Sequence, residues 1–197
     1  KNRWFGKGNI DLDINHYKNF ISSCDIKQIL LCGNYGDPIF YPDLFELIEY
    51  AKSYNIIIKL HTNGSANNNA WWKNLAKILT DQDRIFFSID GIENNFTTYR
   101  KGASWTNIIE HINIINTVAD HPRLVWKYIL FKYNETTILD ALTMAEKLNM
   151  DSFLFQKAFY NEEEKDIWEP TFSIHEYSFP EKYNVHTESS YSIYVYF

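Results

Sequence analysis

The strictest constraint on this chain is a strand–helix–strand run near its start. An apolar, β-favouring segment, Ile29-Leu30-Leu31-Cys32, stops at the cluster Gly33-Asn34-Tyr35-Gly36-Asp37-Pro38. An amphipathic helix follows, and a second β-branched segment, Ile56-Ile57-Ile58-Lys59-Leu60, stops at His61-Thr62-Asn63-Gly64. A Gly/Asn/Asp/Pro cluster ends the first apolar segment and Asn-Gly ends the second, each where a strand hands over to a loop. Parallel α/β sheets and barrels bind their ligands at the carboxyl ends of their strands, so these two clusters are the first candidates for a site.

The rest of the chain repeats the unit. Lys1–Gly8 reads as a loop, and Asp13 suits the cap of a helix with Ile14, Tyr17 and Ile21 on one face. The first strand is predicted at Gln28–Cys32, which places the Cys32 thiol inside a strand and buried. Asp43 and Glu46 suit reciprocal capping of the second helix, whose core face is Leu44, Leu47, Ile48 and Ala51. Strand two is Ile56–Leu60, and helix three turns Trp72, Leu75, Ile78 and Leu79 inward. Strand three is Arg84–Ile89, and the polar stretch Asp90–Ser104 is long enough to be functional. Ile108, Ile109, Ile112 and Ile115 define a helix over about Thr106–Val118, and Leu124–Phe131 is strand four. Thr137 and Asp140 read as a capping box for a helix burying Ile138, Leu142, Ala145 and Leu148, after which Phe153–Phe155 begins strand five. Strict alternation implies parallel strands joined by helical crossovers, and five strands fall short of the eight of a closed barrel. The predicted class is therefore α/β, a partial (βα) barrel of parallel strands, incomplete at the N-terminus because it opens on a helix. Residues 1–160 form the expected barrel core. Residues 161–197, aromatic and without clear period, form a C-terminal extension in which Tyr191–Phe197 suits an edge strand.

Composition excludes some functions. A chain of 197 residues with 45% hydrophobic content builds one sizeable core, and no apolar run reaches the eighteen or so residues of a membrane span. A net charge of −6 with no Lys/Arg-rich stretch argues against nucleic acid, whose phosphates demand clustered cations. Two cysteines, Cys24 and Cys32, are too few for a disulfide framework, and with no visible signal peptide they fit a soluble protein of the reducing cytoplasm. His16, His61, His111, His121, His175 and His186 show no metal-binding spacing, so no residue is assigned to a metal.

Each strand end has a plain reading beside a functional one. Tyr35-Gly36-Asp37-Pro38 is either a βα turn with a capping Asp or a loop whose free carbonyls and amides hold a charged ligand group. Thr62-Asn63-Gly64 is an Asn-Gly turn or a second wall of that site. Ser88 and Asp90 sit two apart, on one face of the sheet, and two polar residues on that face at a strand end point to a ligand more than two in a turn do. Arg100, in Tyr99-Arg100-Lys101-Gly102, is a solvated loop residue or an anion contact, and Asn134 ends a strand or contacts a ligand.

Taken in order and spacing, these motifs resemble the radical S-adenosylmethionine (SAM) enzymes: glycine-acid-proline after one strand, Thr-Asn-Gly after the next, Ser-x-Asp-Gly after the third and Tyr-Arg-x-Gly some ten residues on. The resemblance covers roughly Asn9 to Phe159. It implies that Tyr35, Gly36, Asp37 and Pro38 stand where family members have Gly-Gly-Glu-Pro, which holds the SAM amino group largely through backbone carbonyls. It further implies that Thr62 and Asn63 line the same cavity, and that Ser88, Asp90 and Arg100 meet the SAM carboxylate or ribose. Asn134 stands near the ribose. Family members also hold a four-iron four-sulfur cluster on a CxxxCxxC loop, and Cys24 and Cys32 cannot replace it.

The expectation is therefore a fragment whose cluster loop lies before Lys1, inactive alone. As part of the whole enzyme it would reductively cleave SAM to a 5′-deoxyadenosyl radical that abstracts hydrogen from a small-molecule or peptide substrate. Flavodoxin or ferredoxin would supply the electron. No catalytic residue is assigned. Two alternatives stay open: a degenerate, non-catalytic SAM or nucleotide-binding module, and a metal-dependent barrel hydrolase using His61 and Asp90.

Overall fold

The computed structural model describes residues 12–33 and 36–197; the predicted loop Lys1–Gly8 and Tyr35 lie outside them. The elements run α1 (Ile14–Ser23), β1 (Gln28–Leu31), α2 (Leu44–Ser53), β2 (Ile57–Thr62), α3 (Asn69–Ile78), β3 (Arg84–Ser88), α4 (Trp105–Ile115), β4 (Arg123–Leu130), α5 (Ile138–Lys147), β5 (Ser152–Lys157), a one-turn α6 (Lys165–Trp168), β6 (Asn184–Ser189) and β7 (Ser192–Tyr196). Helix starts follow side-chain chemistry. Asp13 Oδ1 accepts from the Asn15 and His16 amides, the Asn68 side chain from the Trp71 amide, and Ser104 Oγ from the Asn107 amide, each satisfying donors the helix itself leaves unpaired.

Two expected caps do not form. The Asp43 side chain makes no capping bond, and Glu46 pairs with Lys18 of α1 instead of reaching back. Thr137 likewise accepts no first-turn amide, because a 3-10 turn at Glu135–Thr137 leads straight into α5 and Thr137 Oγ1 donates to the Asn134 carbonyl.

The strands form one seven-stranded sheet in the order β1-β2-β3-β4-β5-β7-β6. The first five pair in parallel, as the alternation implies. From 161 onward the chain adds β7 antiparallel to β5 and β6 antiparallel to β7. The predicted edge strand at 191–197 is thus an inner strand, and β6 takes the edge. Cys32 corrects a second expectation: β1 stops at Leu31 and the thiol is exposed.

Register divides the sheet into two unequal faces. On one lie Ile58, Leu60, Ile85, Phe87, Leu124, Trp126, Phe153, Phe155, Ile193 and Val195, packed into one large core with Leu47, Ile48, Trp72, Leu75, Ile108, Ile112, Ile115 and Leu142 of the helices. Ile78 and Ile109 are only partly buried against it. The opposite face carries a small separate cluster, Phe86, Val125, Leu154 and Tyr194. All long helices therefore cover one side, while the other side is concave with a four-residue apolar floor. That arrangement is a partial (βα) barrel.

Candidate functional site

Asp37 joins the first two strand ends. Its Oδ1 accepts from the Ile39 amide (3.2 Å), opening the 3-10 turn Pro38–Phe40, while Oδ2 accepts from Thr62 Oγ1 (2.9 Å) and the Asn63 amide (2.7 Å). Thr62 Oγ1 in turn accepts from the Gly64 amide, and Asn63 Oδ1 from the amide and hydroxyl of Ser65. Gly64 has φ +73°, and a Cβ there would lie 2.5 Å from the Phe87 ring, so no other residue fits. Its carbonyl accepts from Nδ1 of buried His111 (2.8 Å).

The third strand end is organised by Asp90, which is fully buried. Arg100 Nε donates to Asp90 Oδ2 (2.6 Å) and the Ile129 amide to Oδ1 (2.7 Å). Burial pushes the Asp90 carboxyl up while Arg100 and the Ile129 amide pull it down; both oxygens accept, which suits the carboxylate. The Asp90 carbonyl accepts from the Tyr133 hydroxyl and from Asn134 Nδ2. Asn134 is also fully buried: its Oδ1 accepts from the Phe131 amide and its Nδ2 donates to the Ile129 carbonyl.

A cavity of about 600 Å³ opens at the carboxyl ends of β1, β2 and β3, within the ~300–1,000 Å³ range of small-molecule sites. Gly36, Asp37, Thr62, Asn63, Ser88 and Arg100 line it. Pro38 begins the neighbouring turn, and Asp90 and Asn134 stand one layer behind, engaged with Arg100 and with backbone. Lys127, Gln156, His61 and Cys32 also line the cavity but were not among the expected cofactor contacts. Their signal was register: Lys127 sits opposite Ser88, and His61 opposite Phe86, on the concave face. His61 stacks on Phe86 at 4.3 Å, and burial, with Lys127 and Lys59 nearby, lowers its pKa to about 4. A second cavity, about 190 Å³, lies at the carboxyl ends of β4 and β5 and includes Glu169 and His175.

The polar rim suits a nucleotide-sized ligand with both acidic and basic groups. The donor set does not suit an iron–sulfur cluster. Cys24 and Cys32 are the chain's two cysteines, and among the described residues no three His, Cys, Asp or Glu side chains gather as metal ligands. His61 and Asp90 do not form a metal pair either, since both oxygens of Asp90 are engaged.

No family model matches the sequence, and no curated protein sequence matches it. Comparison with solved structures is decisive for the fold, which is that of the radical SAM enzymes. TYW1, solved with a lysine-pyruvate adduct bound, matches at TM-score 0.61 and 14% identity over 93% of this chain and 66% of its own. Streptococcus suis SuiB matches at 0.64 and 14% over 79% and 36%, and anSMEcpe with bound AdoMet at 0.57 and 13% over 74% and 42%. The chain thus spans less than two thirds of each of them. Among the described residues, no helix is long and apolar enough to cross a membrane.

Proposed function

We propose that this chain is the SAM-binding part of a radical SAM enzyme of the cytoplasm. The observation that carries it is the convergence of three parallel strand ends on one cavity, with Asp37, Asn63, Ser88 and Arg100 around its rim. Asp37 sets the backbone of the first strand's loop against the second strand, so that loop carbonyls can meet the SAM amino group. Ser88 and Arg100 offer a hydroxyl and a cation to its carboxylate. Asp90 and Asn134 act behind them, Asp90 aiming Arg100 and Asn134 fixing the turn after β4. In an enzyme holding a low-potential cluster, SAM yields a 5′-deoxyadenosyl radical, and no side chain here supplies that electron. The cluster thiolates would come from outside residues 1–197, and an electron donor such as flavodoxin or ferredoxin would serve it.

The substrate is proposed to be a small molecule or a peptide. SuiB has been solved with its precursor peptide SuiA and anSMEcpe with a Cp18Cys peptide, which supports the peptide reading.

Equilibrium dialysis of the chain with labelled SAM tests the proposal. Saturable binding near one equivalent is expected, reduced at least tenfold by Ser88→Phe, which fills the cavity. Absence of saturable binding by the folded chain, or equal binding by Ser88→Phe, overturns it.

A further inference from the structure

Three cations stand side by side where the fold gives them no counter-charge. Lys59 on β2 is in register with Arg84 on β3, and Arg84 with Arg123 on β4, while Leu30 continues the row onto β1. Arg84 and Arg123 are the first residues of their strands, so the row crosses the concave face near the amino ends, away from Thr62 and Ser88 at the carboxyl ends. Like charges in register on neighbouring strands repel one another, and Phe86 and Val125, next along that face, are buried and apolar, so the floor beside the row screens the charges poorly. Among the described residues none of the three forms an ion pair. Of the acids that precede β3, Asp83 is buried and bound by Lys52 and the Ile58 amide, and Asp81 meets Arg123 Nε with its carbonyl (3.0 Å). At the other side of the sheet, Glu188 accepts from Ser192. The field of the row reaches its neighbours: burial, Lys127 and Lys59 together disfavour the cation at His61, and Arg84 opposes the rise that burial and Glu188 impose on the Tyr194 hydroxyl.

We propose that this row is a docking surface for an extended acidic segment of another protein. Neighbouring strands lie about 4.8 Å apart, so the three cations span about 10 Å, and alternate side chains of an extended chain stand about 7 Å apart on one side; two carboxylates two residues apart therefore lie over the row. Leu30 at one end and Tyr196, level with Val125 across β5, are exposed and offer apolar contact to the residues that flank those acids. A phosphate chain is the poorer match, because it draws its affinity from many neutralised phosphates, and three cations on a chain of net charge −6 supply few. The inference does not rest on the SAM reading and takes none of its polar residues.

Fluorescence anisotropy of the full chain tests it, with the labelled heptapeptide Leu-Ser-Glu-Ser-Glu-Ser-Leu, which sets both acids and both leucines on one side when extended. Saturable binding at low salt is expected, weakened at least tenfold at high salt and lost when lysine replaces each glutamate. Carbodiimide coupling should join the peptide's carboxylates to Lys59 several-fold faster than to exposed Lys73 and Lys101. Arg84→Gln should weaken the peptide at least tenfold, leave the chain's behaviour toward SAM unchanged, and raise the urea midpoint at low salt by relieving the repulsion. No saturable binding by the folded chain, or coupling no faster at Lys59 than at Lys73 and Lys101, overturns the surface. Tighter binding of a thymidylate decamer than of the peptide overturns the choice of a peptide. A lowered urea midpoint in Arg84→Gln shows the cation to be held by the fold itself and overturns the premise. The coupling needs no variant, so a misfolded Arg84→Gln would not obscure the result.

Discussion

Asp37 links two strand ends with one carboxylate, and its three accepted bonds, two from backbone amides and one from Thr62, cannot be replaced by any neighbour. Asp37→Ala leaves Thr62 Oγ1 and two amides short of their acceptor, a loss of about 1–3 kcal/mol that urea unfolding would measure. SAM affinity should fall with it, because the loop is no longer held against β2. His61 makes a prediction about pH. In the unfolded chain it takes up a proton near its ordinary 6.5, but in the fold not until about 4, because burial and two lysines disfavour the cation. Between those values the unfolded state binds more protons, so His61 makes stability fall as pH is lowered across that window and has no such effect above it. The urea midpoint followed from pH 7 to pH 4 should drop less steeply in His61→Phe, which keeps the stack on Phe86.

Among the elements, the turn after β4 is the one most exposed to a single change. Asn134 serves the Phe131 amide and two carbonyls from a site with no solvent access, so Asn134→Ala should cost about 2–4 kcal/mol by stranding them. Calorimetry would show it as a lowered Tm. Elements with strong period were legible in the sequence: Ile108, Ile112 and Ile115 mark α4, and the Gly/Asn/Asp clusters mark the ends of β1 and β2. Capping was legible only where the first turn starts cleanly, as at Asp13. At Thr137 the 3-10 turn had already supplied the chain's direction, and at Asp43 the pull of Lys18 on Glu46 undid the box. Ser88 stood out in the sequence because polarity on one face at a strand end is unusual, whereas Asn63 and Arg100, a turn residue and a loop residue by themselves, were singled out through the family resemblance; all three line the cavity. Lys127 was missed because one polar residue between Val125 and Ile129 is what an ordinary half-exposed strand contains. Only the register against Ser88 shows that its face is concave. Asp90 and Asn134, given as ligand contacts by the resemblance, are fully buried behind the residues that line the cavity, and depth is not written in spacing.

At the scale of the molecule, the sheet continues through β7, whose Ile193, Tyr194 and Val195 are buried on its two faces. Removing 161–197 therefore uncovers the hydrogen-bonding edge of β5 together with apolar surface on both faces. A chain ending at residue 160 should lose cooperative unfolding and associate, visible by size exclusion and near-ultraviolet circular dichroism. Retention of the full chain's Tm would instead mark the extension as a separate unit. The outermost strand has the opposite character: every residue of β6 is exposed, and among the described residues its one strand partner is β7. Amide deuteration should for that reason proceed inward from that side, with β6 labelled in the earliest time points. The parallel strands β3 and β4, flanked on both sides and backed by the helices, would be labelled last, so that local opening of the hairpin leaves the bowl and its contents undisturbed.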